Sequence, residues 1–276
     1  MSDNQDARTV AGFGDEWSRF DQSTLTDAEL DELFDRYFSI FPWNMLPETA
    51  VGFDLGCGSG RWARRVAPRV GRLLCLDASR EALSVARATL SAEKNCEFVH
   101  ASVGDLPIDD GTMDFGYSLG VLHHVPDTAA AIKECSTKLK SGAPFLLYIY
   151  YAFDNRPAWF RLLWRMSDFL RKLISCLPMR PRYYASQLIA FCIYLPLARS
   201  ALVLEKVGMN VDAMPLSAYR NVSFYTMRTD ALDRFGTRLE QRFTAKQVKS
   251  MMQEAGFEQI EFSPSIPYWC ALGIKG

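Results

Sequence analysis

One stretch of the chain combines residue types that could hold a charged small molecule: Val51-Gly-Phe-Asp54-Leu-Gly56-Cys57-Gly58-Ser-Gly60-Arg61. Glycines at alternate positions let the backbone turn tightly and approach a ligand closely. The dinucleotide fingerprint G-x-G-x-x-G would place its third glycine at position 61, which is Arg here. The acid two residues before the first glycine decides more. A carboxylate in such a loop repels a pyrophosphate and attracts an ammonium. Asp77, at the end of the next apolar run, follows the loop at the separation of about 20 residues that suits a ribose-binding carboxylate. His123 and His124 are the candidate catalytic residues, because a neutral imidazole can take a proton near physiological pH. The competing reading is that they shape the loop beneath a bound ligand. Two adjacent side chains with no Cys or Glu companions do not make a metal site, so no metal is expected. Cys57, with no residue spaced to activate it, reads as a packing residue.

The surrounding pattern must position these groups. Short apolar runs alternate with helical segments: strand 51–55, helix 60–66, strand 72–76, helix 80–90, strand 96–99, strand 113–119, helix 128–139 and strand 143–150. Such alternation predicts a parallel sheet with helices on both faces. Upstream, the stretch to Asp6 is polar, and Thr26-Asp-Ala-Glu29 reads as a capping box opening a helix that Pro42 ends. Helix 244–255, capped by Thr244, and strands 259–263 and 268–274 resume the alternation near the C-terminus.

In this frame Asp54-Leu-Gly-Cys-Gly-Ser-Gly60 resembles the first motif of class I S-adenosylmethionine-dependent methyltransferases, the group that includes ubiquinone/menaquinone C-methyltransferases and many sugar and natural-product methyltransferases. That cofactor carries an ammonium and no phosphate. Four further segments resemble the family in order: Leu74-Cys-Leu-Asp77-Ala78-Ser; Phe98-Val-His-Ala-Ser102-Val103-Gly-Asp-Leu-Pro107; the run from Gly111 to Asp127; and Leu139-Lys-Ser-Gly-Ala. Gly12-Phe-Gly-Asp-Glu-Trp17 is similar to a short N-terminal motif of several members. The resemblance implies an α/β fold, with a Rossmann-like seven-stranded, mostly parallel sheet whose last strand is antiparallel. It implies S-adenosyl-L-methionine as cofactor. Asp54, Gly56, Cys57, Gly58 and Gly60 would hold its methionine end, Asp77 and Ala78 the ribose, Ser102 and Val103 the adenine, with Leu119 beneath the methionine part. The family's usual adenine-loop acid falls at Ser102, and Asp105 stands in reserve for that contact.

The expected organisation is an N-terminal helical segment (1–50), a cofactor-binding core (51–151 and 236–276) and a helical cap inserted after strand five (152–235). Within the insertion, Pro157 to Leu177 carries apolar residues at helical spacing. Over 156–182 seven Lys and Arg face Asp168 alone, a net +6. The favoured expectation is a lid that buries its apolar stripe and leaves its basic face in solvent. The second is a peripheral membrane contact through the 157–177 helix. The longest apolar runs are 11 residues, one of them containing Pro196, too short to span a bilayer.

The whole chain balances 31 Lys and Arg against 32 Asp and Glu, which excludes a nucleic-acid footprint spread over the whole surface. Seven cysteines without a C-x-x-C pair, and no signal peptide, suit a cytoplasmic setting. The function expected is methyl transfer to an O, N or C nucleophile of a small-molecule acceptor. The alternatives are methylation of RNA or protein, or a non-catalytic cofactor-binding module. Oligomeric state is left open.

Overall fold

The computed structural model describes residues 4–212, 214–265 and 269–276. In chain order its helices and strands are α1 Ala7–Arg19, α2 Asp27–Phe38, β1 Val51–Leu55, α3 Ala63–Val66, β2 Arg72–Asp77, α4 Arg80–Thr89, β3 Cys96–His100, β4 Phe115–Leu119, α5 Thr128–Lys138, β5 Pro144–Tyr148, α6 Ala158–Ser175, α7 Met179–Ile189, α8 Leu195–Lys206, α9 Phe224–Gly236, α10 Ala245–Glu254, β6 Phe257–Phe262 and β7 Cys270–Lys275. The chain divides into two compact units. The first comprises Met1–Ser23, Leu30–Ala152 and Leu239–Gly276; the second comprises Thr24–Glu29 and Phe153–Arg238.

The first unit is built on one seven-stranded sheet of order β3-β2-β1-β4-β5-β7-β6. All pairings are parallel except those of β7, which runs antiparallel to both neighbours. This is the Rossmann-like α/β sheet that the alternation and the resemblance imply. From β1 the chain winds outward to β2 and β3, then returns to lay β4 on the other side of β1. That reversal opens a crevice beyond the carboxyl ends of β1 and β4, where open α/β sheets bind ligands.

The central strands interlock by exchanging a ring for a missing side chain. Gly52 faces Phe115 in register, and Phe53 faces Gly116. A Cβ on Gly52 would lie 2.3 Å from the Phe115 ring, and one on Gly116 2.3 Å from the Phe53 ring. Both phenylalanines are fully buried.

Several boundaries shift for local reasons. Helix α3 starts at Ala63 because Gly60, with φ of +78°, is still in the loop. Met113 makes only an isolated bridge to Leu139 before β4 begins. Tyr268, placed in the last strand by the sequence pattern, lies outside the described residues. Helix α1 was not anticipated; Asp6 caps it by accepting the Thr9 N–H at 2.7 Å.

The second unit contains α6 to α9. Helix α9 is bracketed by charges that match its dipole. Glu29 accepts the Ser223 N–H at 2.9 Å and the Thr226 hydroxyl at 2.8 Å at its start. Arg182 donates to the Gly236 carbonyl, and Arg171 to the Thr237 carbonyl, each at 2.9 Å, at its end. The expected capping box at Thr26 is thus half formed. Thr26 accepts the Glu29 N–H at 3.2 Å, while the Glu29 carboxylate is spent on α9.

Two expectations about this segment are corrected. Helix α6 has the opposite face buried. Ile174, Ser175 and Arg171 are buried, Arg171 paired with Asp168 at 2.6 Å, whereas Leu162, Met166, Phe169 and Leu173 are exposed. Arginine needs carbonyls and carboxylates, and α9 and Asp168 supply them on the inner side. Nor does the 11-residue apolar run containing Pro196 set the length of its helix. α7, a wide turn at Ala190–Tyr194 and α8 form one continuous helix, Met179–Lys206, long and apolar enough by length and composition to cross a membrane. The wide turn absorbs the proline's missing donor and bulky ring.

Candidate active site

The glycine loop leaves β1 with three left-handed residues: φ is +78° at Gly56, +54° at Gly58 and +78° at Gly60. Those angles suit glycine, and the space agrees. A Cβ on Gly56 would meet Val121 at 2.3 Å, and one on Gly58 the Trp17 ring at 2.8 Å. The N–H groups of Gly56 and Cys57 donate to the Leu76 carbonyl at 2.7 and 3.0 Å, tying the loop to the end of β2.

Asp54 stands at this turn, 1% exposed, and its Oδ2 has no hydrogen-bond partner. The Tyr117 hydroxyl on the neighbouring strand lies near it without a well-aligned hydrogen bond. Burial pushes the carboxyl up to about 8; Asp77 adds to the rise, and Tyr117 and Arg61 oppose it. A buried, unpartnered carboxylate oxygen at a helix-entry loop is what an ammonium would satisfy. Asp77 is half-buried. It accepts the Gly58 N–H on Oδ2 at 2.9 Å and the Ser79 N–H on Oδ1 at 2.8 Å. Each carboxylate oxygen can accept twice, so Asp77 retains capacity for two hydroxyls. Burial also raises its carboxyl, against those two N–H groups and His100. Ala78 offers its carbonyl to His100 Nε2 at 3.0 Å.

Cys57 lies inert beneath the loop. Contact with Cys75 draws its thiol down, but burial and the charges of Asp77 and Asp54 outweigh that and push it up to about 11. Ser102 is half-buried, and the Val103 side chain joins the core. Asp105 is exposed and donates its N–H to the Ser102 carbonyl at 3.1 Å. Leu119, buried, ends β4.

His123 and His124 follow β4 on a short helical turn and are both buried. The His123 ring lies 3.9 Å from the rings of both Tyr150 and His124. Neither of its nitrogens has a hydrogen-bond partner. Burial first, then His124 and Arg242, hold it well below the ordinary imidazole range, so it stays neutral at physiological pH. His124 is oriented differently, with Nδ1 at 2.6 Å from the Leu239 carbonyl.

Other residues here were not singled out by spacing. Arg242 pairs with Glu240 at 2.8 Å and places its guanidinium 4.8 Å from the Tyr150 ring. Glu240 keeps its second carboxylate oxygen buried and without a partner. Tyr37 meets Tyr148 edge-on at 5.0 Å and Trp62 at 4.7 Å. Trp17 comes from α1; the motif holding it was legible, but its glycines and acids hid the helix. Glu240 and Arg242 carry no local signature: they pair with each other, and what Arg242 reaches, the Tyr150 ring and the Tyr151 carbonyl, lies about 90 residues earlier in the chain. Among the described residues no three His, Cys, Asp or Glu gather as a metal site.

Residues 53–147 match the family described as "Methyltransferase domain". A demethylmenaquinone methyltransferase of Bacillus licheniformis is 31% identical over 101 residues, 35% of this chain and 43% of that protein. A ubiquinone biosynthesis O-methyltransferase of Xanthomonas axonopodis pv. citri is 27% identical over 189 residues, 67% of this chain and 74% of that one. Over residues 53–147 the chain is similar to the class I S-adenosylmethionine-dependent methyltransferases. The family match covers the glycine loop, β2 and the two histidines, and it ends inside β5. Solved structures agree on the fold. The carbon methyltransferase CurJ superposes with a TM-score of 0.52 at 11% identity, covering 91% of this chain and 56% of that one. A methyltransferase-like protein of Bacillus halodurans superposes at 0.51 with 16% identity, covering 85% and 70%. The chain spans less than half the length of the demethylmenaquinone methyltransferase it matches.

Proposed function

We propose that this methyltransferase moves a methyl group from S-adenosylmethionine to a nucleophile on a small molecule. The observation that carries the cofactor assignment is Asp54, buried with an unpartnered oxygen beside three left-handed glycines. An ammonium satisfies that oxygen in its ionised form, whereas a phosphate would set a second anion beside it. Asp54 would hold the amino-acid end of the cofactor, Asp77 the ribose hydroxyls, and Ser102 with the Val103 backbone the adenine. When bound, the cofactor supplies an electrophilic methyl, which leaves the protein to orient the acceptor, exclude water and manage a proton.

His123 suits the proton's management, as a neutral ring with both nitrogens available at the end of β4. Tyr37, Tyr148 and Tyr150 line its surroundings with half-buried aromatic faces. Such faces favour a flat, largely apolar acceptor. Relatives named for ubiquinone and menaquinone methylation support a small-molecule acceptor over RNA or protein. A reducing, cytoplasmic setting belongs to the same reading, since the described cysteines are all free thiols.

The test measures S-adenosylhomocysteine release with phenolic, amine and activated-carbon acceptors, alongside calorimetry of cofactor binding. Binding without release for every small acceptor, with release on added RNA or protein, would overturn the assignment.

A further inference from the structure

Apolar side chains exposed one at a time are ordinary on a protein surface; a cluster of them is not. Among the described residues, every large exposed apolar side chain except Met45 falls between Trp159 and Met209. Helix α6 shows how they are arranged. Its turns divide into three arcs at helical spacing. Trp164, Asp168, Arg171 and Ser175 face inward, while Leu162, Met166, Phe169 and Leu173 face outward, with Met166 and Phe169 66% and 67% exposed. Arg161, Arg165 and Lys172 form the third arc, exposed and flanking the apolar one. The single acid of the helix, Asp168, is turned in and paired with Arg171 at 2.6 Å and Lys172 at 3.0 Å.

The long helix Met179–Lys206 is built in the same sense. Its outer side exposes Leu188, Phe191 and Val203. Its inner side is held by polar ties within the unit. Arg182 donates to the Gly236 carbonyl at 2.9 Å, and Arg199 to the carbonyls of Arg220 at 2.7 Å and Val222 at 3.2 Å. A helix with guanidinium groups spent on one side cannot be surrounded by hydrocarbon, so its length does not make it a span. One apolar side outward and one polar side inward is the build of a helix lying along an interface.

We propose that the second unit docks on an anionic lipid surface, with the outer faces of α6 and of the Met179–Lys206 helix in the acyl boundary and Arg161, Arg165 and Lys172 among the headgroups. Charge decides the occupant. Residues 153–238 carry 13 Lys and Arg against 6 Asp and Glu. A symmetric contact with a second copy would press this patch against itself and set like charges together. An anionic bilayer offers both hydrocarbon and the opposite charge, and long basic side chains reach headgroups from a buried stem. The docking holds whichever acceptor the methyltransferase serves.

Flotation of the full chain with vesicles tests it, without cofactor or acceptor. The chain should bind vesicles of equimolar phosphatidylcholine and phosphatidylglycerol, bind phosphatidylcholine alone far less, and lose binding as salt rises. Arg161→Glu with Arg165→Glu should weaken binding at least about tenfold. Met166→Ser with Phe169→Ser should weaken it at every salt concentration. All four positions are exposed, and an unchanged thermal transition of the second unit in calorimetry certifies that the variants are folded. No binding of the unaltered chain to anionic vesicles overturns the proposal, as does equal binding by both variants. A concentration-dependent dimer abolished by the Met166 and Phe169 changes, without vesicle binding, replaces it with self-association.

Discussion

Asp54 sets the pH behaviour of the site. Its carboxyl is pushed up to about 8 by burial, against 3.8 when unhindered, so the folded chain holds a proton there that the unfolded chain has lost. Its contribution to stability is therefore largest below pH 3.8 and declines as pH rises from there to about 8. Asp54→Asn should raise the stability of the ligand-free chain at pH 7 by about 2–4 kcal/mol in chemical denaturation. It should also cost cofactor affinity, because binding an ammonium needs the ionised form. Below pH 8 the affinity for S-adenosylhomocysteine should fall by up to about tenfold per pH unit as Asp54 takes its proton, and the Asn variant should lack that slope in calorimetry. Asp77→Ala should lose about 1.5–3 kcal/mol of cofactor binding, as for hydrogen bonds to charged groups. His123 has the opposite sign, being a base held below its ordinary value of 6.5. Its neutral form contributes stability above pH 6.5 that is lost as pH falls below it. His123→Ala should keep cofactor affinity and lose about 10²–10⁴-fold in turnover. Normal turnover in that variant would show that the transfer runs on positioning alone.

At the scale of elements, much of the first unit was legible because buried parallel strands leave continuous apolar runs and glycine loops leave fixed spacings. Val51–Leu55 is read from sequence at its observed bounds, and Asp54 and Asp77 emerge at the ends of neighbouring strands. Contacts that depend on distant partners were not legible. Arg242 reaches His123's surroundings only because the segment after β5 and the 239–243 segment run side by side, as the Tyr151–Phe243 bridge records. Helix α6 was read with the wrong face inward, since periodicity finds an apolar stripe but does not say what it faces. What reverses it is Arg171, buried against Asp168 and the Thr237 carbonyl. The Gly–Phe exchange between β1 and β4 gives an element-scale test. Gly116→Val would drive its side chain into the Phe53 ring, where a Cβ alone would sit 2.3 Å away. Overpacking there should cost at least about 1–3 kcal/mol in urea unfolding, with the loss shared by cofactor binding because Asp54 follows Phe53 directly.

At the scale of the whole molecule, two units with separate interiors imply two unfolding events rather than one. The first holds an apolar core from Phe53 to Ala271 across the sheet. The second depends heavily on guanidinium-to-carbonyl bonds around α9, which suits a unit whose apolar side chains are turned outward. Arg182→Ala separates the two. It leaves the buried Gly236 carbonyl without its charged donor and removes the stem of a side chain that is itself buried. A bond of this kind contributes about 1.5–3 kcal/mol, and the packing lost with the stem adds to it. In differential scanning calorimetry the transition of the second unit should move down, while the transition of the first stays in place. S-adenosylhomocysteine should raise only the first transition, since Asp54, the glycine loop and Asp77 all belong to that unit. A single transition that both perturbations move together would mean that the two units fold as one.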